Sequence, residues 1–192
     1  MPETSGAAVD LYWLPLGAGG QSVRVNGKVF EWVASLHARR MPFDLYHSAL
    51  EVRVGSARFV VEMAPAMGGP SGFHGVVAAG AVGTALAGRA RLFRYEVRCW
   101  PDGVIPDVDE AVDSPRRLSS DAAVARCALE LVPRVPVPVW GRDELGAGEM
   151  WNSNSVISWV LESAGLDAEG VELPARGRAP GWEAGIVVAR RS

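Results

Sequence analysis

Lysine is nearly missing from this chain: Lys28 stands alone beside 18 arginines in 192 residues. The arginines are scattered rather than clustered and the net charge is −3, so the basic stripe that nucleic-acid binding requires is not there. Cysteine is equally scarce. Cys99 and Cys127 cannot build a disulfide framework, and with His37, His47 and His74 as the only histidines they do not suggest a zinc site; no metal and no cofactor is expected. The most apolar low-charge run, residues 75–88, is 14 residues long and broken by glycine, short of the roughly 20 residues a membrane helix needs. The first sixteen residues carry Glu3 and Asp10 and lack a basic stretch followed by an apolar one, so the chain reads as cytoplasmic, without a secretory leader or a membrane span.

What is there is an ordinary globular composition, 48% hydrophobic and 21% charged. The length fits one domain. Its core is expected over about residues 10–165, followed by a Gly- and Arg-rich tail with a last strand at 185–189. Residues 10–16 read as a short buried strand, ending in Gly17-Ala18-Gly19-Gly20. That glycine cluster matches neither the dinucleotide fingerprint nor a P-loop and reads as a plain loop. From 28 to 40, Val29, Phe30, Trp32, Val33 and Leu36 recur at helical spacing until Pro42. Two strand-like runs follow, 44–54 and 58–64, with Gly55-Ser56 as a tight turn between them. Residues 65–75 read as a loop and 90–100 as a third strand. Ser119-Ser120-Asp121 opens a helix to 132 that places Cys127 in the core, and a further helix spans 154–165. The fold class is therefore α+β, an antiparallel sheet packed with the helices 28–40, 119–132 and 154–165.

Two features could carry chemistry. On the strand 44–54, Tyr46, Ser48, Leu50, Val52 and Val54 share an apolar face, while Leu45, His47, Ala49, Glu51 and Arg53 share a more polar one. A two-residue turn at Gly55-Ser56 would pair Val54 with Ala57, Ala49 with Glu62 and His47 with Ala64. Glu62 would then be the diagonal neighbour of His47, where a carboxylate could orient an imidazole. The second feature is Trp151-Asn152-Ser153-Asn154-Ser155 at the start of the helix. Unpaired backbone N–H groups there favour negative charge and could stabilise an oxyanion. On residue types alone, Asn and Ser make an ordinary helix cap.

Taken together, a strand bearing His47 in Tyr46-His47-Ser48-Ala49-Leu50-Glu51-Val52, a polar residue on the next strand at Glu62, and a much later Asn152-Ser153-Asn154 helix start resemble the circularly permuted papain-like fold. That fold occurs in permuted NlpC-type peptidases, lecithin:retinol acyltransferase relatives and PPPDE-type peptidases. The resemblance covers residues 43–65 and 148–165 and departs from the family at its nucleophile, where Ser153 replaces cysteine. It implies a hydrolase or acyltransferase acting on an amide or ester of a peptide, acyl or small substrate, with Ser153, His47 and Glu62 as catalytic residues. Asn152, Asn154 and Trp151 would bind the substrate, and Trp182 could line the same groove. The thiolate–imidazolium pair cannot form with a hydroxyl. The alternative is therefore a catalytically inactive papain-like domain that binds a peptide or protein partner.

Overall fold

The computed structural model describes residues 6–16, 44–66, 75–90 and 93–192. The helix expected over 28–40, with His37, lies outside the described residues, as do His74 and most of the loop expected over 65–75.

Among the described residues seven strands form one sheet. Strands β1 (Ala8–Pro15), β2 (Asp44–Val54), β3 (Ala57–Pro65), β4 (Val76–Ala81), β5 (Arg94–Pro101) and β6 (Val112–Ser119) lie in the order β4-β5-β3-β2-β1-β6 with antiparallel neighbours. The two-residue β7 (Gly177–Arg178) adds in parallel to the start of β2. Among the described residues three helices accompany the sheet: α1 (Ala122–Leu131), α2 (Ser153–Ser163) and α3 (Trp182–Ala189). This is the α+β class that the sequence implies. No described helix is long and apolar enough to cross a membrane.

The hairpin forms as its turn chemistry dictates, with Gly55-Ser56 between the paired Val54 and Ala57. Its ladder runs only as far as Leu50 opposite Val61. Beyond that point β3 continues alongside β5 to Pro65 opposite Tyr95, while the start of β2 takes Gly177 and Arg178 as neighbours. The pairs Ala49–Glu62 and His47–Ala64, expected from the turn, are therefore not made, because β2 changes partners.

Strand alternation gives the sheet two different faces. One carries Val9, Leu11 and Trp13 of β1, Tyr46, Leu50 and Val52 of β2, and Val61 and Met63 of β3. It packs against Ala125 and Ala128 of α1 and Val156, Ile157, Val160 and Leu161 of α2 in one core. Burying each of the larger aliphatic side chains contributes roughly 1.5–3 kcal/mol. The other face holds a smaller apolar group, Tyr12, Leu14, Ala49, Val60 and Ile105, bordered by a charge lattice. There Arg117 grips both oxygens of Asp10. Glu51 accepts from Arg53 and, at 2.9 Å, from Arg58, and Arg98 bridges Glu62 and Glu96. Burial alone would raise the Glu51 carboxyl, but the two guanidiniums outweigh it and hold its pKa below the ordinary value.

The tail differs from its expected form. Residues 185–189 are the end of helix α3 rather than a strand. Trp182, Gly185 and Ile186 fall at helical spacing and are buried, and Gly185 lets α3 cross α2: a Cβ there would overlap the Ser158 hydroxyl and the Ser155 carbonyl. Three of the described strands were not foreseen. β4 lies inside the glycine-broken apolar run, β6 carries Pro115, which a sheet tolerates at its edge, and the short β7 lies in the tail ahead of α3.

Candidate functional site

Helix α2 begins with a run of small polar residues, nearly all of which hold the fold together. Asn152 is the N-cap; its side-chain oxygen accepts from the N–H groups of Asn154 at 2.9 Å and Ser155 at 3.4 Å. The Asn152 N–H donates to Ser155 Oγ at 3.0 Å, closing a capping box. Asn154 is almost fully buried and reaches in three directions. Its oxygen accepts from the Ser48 hydroxyl at 2.9 Å, and its amide donates to the carbonyls of Tyr46 at 3.0 Å and Pro180 at 2.9 Å. The Asn152 amide also donates to Pro180, at 2.7 Å. Ser155 and Ser158 donate to the carbonyls of Gly181 and Trp182, both at 2.7 Å. Gly181 has φ +84°, and a Cβ on it would meet the Asn152 amide at 2.6–2.7 Å.

Ser153 is the exception. It is 7% exposed, and among the described residues neither its N–H nor its hydroxyl has a hydrogen-bond partner. It lines a cavity of about 310 Å³ together with Asn152 and Asn154; the other described lining residues are Leu16, Leu45, Trp140, Met150 and Pro180, mainly apolar. Ser153 thus stands at a helix N-terminus with its hydroxyl uncommitted, beside a cavity.

The residues expected to activate it are elsewhere. Ser48 and Tyr46 meet α2, so alternation turns His47 to the other face, alongside its pair partner Leu14 and near Ala49. Burial pushes its pKa down to about 4, with Asp107 opposing weakly, so at neutral pH the imidazole is uncharged. No hydrogen bond or ion pair joins His47 to Ser153 or to Glu62 among the described residues. Glu62 shares the face of His47, as its parity implies, but faces Arg98 of β5, 3.3 Å away. The triad Ser153, His47 and Glu62 is therefore not brought together. Its two strand members sit on the face opposite the helix.

No family model, no curated protein and no solved structure matches the chain. The site must be read from its own geometry. No group of three or more His, Cys, Asp or Glu side chains able to share a metal ion occurs among the described residues.

Of the expected binding residues, Asn152 and Asn154 do border the cavity, though their side chains are committed to the fold. Trp151 does not border it. It is a core residue, 2% exposed, with its indole N–H unpaired. Trp182 is likewise internal, tilted against Trp13 at 4.9 Å and donating to Ala168 O at 2.9 Å. The tryptophan on the cavity wall is Trp140, which the sequence did not single out. Its signal was its place at the end of Pro136-Val137-Pro138-Val139, an extended stretch that runs to β4 and bonds there through Ala81 O. Arg142, Asp143 and Glu149 fix loops through backbone groups: Gly83 O, the N–H groups of Ala147 and Gly148, and the N–H of Gly181.

Proposed function

We propose that this protein is a non-catalytic binding domain that holds an apolar part of a peptide or protein partner in the cavity at the start of α2. The observation that carries this reading is the combination at Ser153: a hydroxyl without a partner among the described residues, on a residue only 7% exposed, at a helix N-terminus, beside a cavity of about 310 Å³ whose other described walls are mainly apolar. That volume is at the lower end of the roughly 300–1,000 Å³ of ligand sites, and a few convergent polar groups in an apolar wall are their usual form. From the papain-like resemblance the reading retains the approach of the His47 strand to the helix start. A Ser-His-Glu hydrolase fits less well, because a serine needs a base within about 2.6–3.2 Å and the imidazole is turned to the other face of the sheet.

The test is a titration with three short peptides carrying phenylalanine at the first, middle or last position, followed by NMR at the Trp140 indole and the Ser153 amide. At least one peptide should move both signals together. If none moves either signal at millimolar concentration, the binding reading is wrong.

A further inference from the structure

Resting on that reading, we infer that the group recognised at Ser153 is a carboxylate, the free C-terminus of a peptide whose last side chain is large and apolar. The argument starts from donors. The Asn152 side chain already satisfies the N–H groups of Asn154 and Ser155. What the first turn of α2 still offers is the N–H and the hydroxyl of Ser153, both without a partner among the described residues and both on a residue 7% exposed. Two uncommitted donors on one residue at the positive end of an 11-residue helix select an acceptor, and preferably a negative one.

The walls narrow the class further. Among the described residues no arginine, lysine, aspartate or glutamate lines the cavity. A phosphate would lose the hydration of nearly two charges against one helix end and no guanidinium, whereas a carboxylate loses only one. Glu149, the nearest acid along the chain, is turned to the N–H of Gly181 at 2.8 Å and to Arg178 at 4.0 Å, and is not part of the lining. The apolar remainder, to which Leu16, Leu45, Trp140 and Met150 contribute, has at about 310 Å³ room for one large side chain rather than an extended peptide. A terminal residue presents that pairing of one apolar side chain with one carboxylate.

The experiment compares acetyl-Gly-Ser-Gly-Phe as the free acid and as the C-terminal amide by isothermal titration, on the parent and on Ser153→Ala. Because Ser153 makes no hydrogen bond among the described residues, the alanine variant should fold as the parent does, which its urea midpoint verifies. The acid should bind at least tenfold more tightly than the amide, as expected of a hydrogen bond to a charged group, and Ser153→Ala should reduce that preference to threefold or less. Acid and amide binding alike would overturn the carboxylate inference and leave the peptide-binding reading standing. Binding of neither, together with silence from the other two phenylalanine peptides, would remove both. Octanoate binding as tightly as the peptide acid would overturn the peptide source in favour of a lipid-type acid. An acid preference unchanged in Ser153→Ala would overturn the assignment to Ser153.

Discussion

The Ser48 hydroxyl donates to the Asn154 side chain at 2.9 Å, joining strand β2 to the first turn of helix α2 across 106 positions of sequence. Two residues earlier on the strand, the Tyr46 carbonyl accepts from the same asparagine. The helix start is therefore fastened at the stretch where β2 has lost β3 as a neighbour, and Asn154 supplies there a bond that the ladder no longer does.

Asn154→Ala should accordingly be among the most destabilising substitutions in the chain. It removes three hydrogen bonds and leaves the Ser48 hydroxyl and the Tyr46 carbonyl buried without this partner, an expected loss of about 2–4 kcal/mol. Ser153→Ala, its immediate neighbour, should stay within about 0.5 kcal/mol of the parent. Urea unfolding midpoints decide both. Equal losses at the two positions would contradict the division of labour between them.

Gly185→Ala tests the crossing of α2 and α3. The added methyl meets the Ser158 hydroxyl and the Ser155 carbonyl, and overpacking of this kind costs about 1–3 kcal/mol. A thermal midpoint unchanged from the parent would show that the two helices can separate without loss.

His47 makes stability depend on pH. Its folded pKa of about 4 lies below the ordinary 6.5, so between those values the unfolded chain binds the extra proton and stability falls as pH falls. The loss is complete below about pH 4 and amounts to roughly 3 kcal/mol at most, at about 1.36 kcal/mol per pH unit. Glu51, with a pKa held below the ordinary 4.5, adds a loss at the acid end only. Denaturant midpoints at pH 7.5 and 5 should therefore differ in the parent and converge in His47→Asn. Parallel curves for the two proteins would rule out His47 as the origin.

Ser153 should remain unlabelled by a fluorophosphonate probe, since no described base reaches its hydroxyl. Labelling that disappears in both Ser153→Ala and His47→Ala would reinstate the hydrolase reading.

Much of this was legible in the residues themselves. Asp44–Val54 is a strand with the bounds its apolar period implies, Gly55-Ser56 sets the turn, and Asp121 caps α1 through the N–H groups of Ala123 and Val124. The face parity of β2 was legible too, and it already opposed the triad: a helix covering the apolar face meets Tyr46 and Ser48, so His47 cannot meet it. What could not be read was non-local. The ladder between β2 and β3 stops at Leu50 opposite Val61 and the start of β2 takes β7 instead, and no pattern within 44–64 encodes that. The tail looked like a strand because Ile186, Val187 and Val188 favour one. Packing against α2 at Gly185 overrode that preference.

The cavity wall is drawn from four stretches far apart in the chain, around residues 16, 45, 140–154 and 180, and the two asparagines that frame it bond to the Pro180 carbonyl. Such a site cannot exist in a partly organised chain, because closing those long loops is among the latest and entropically most demanding steps of folding. Binding competence should thus emerge in a single step with the global fold, and a bound partner would report on the integrity of the whole domain.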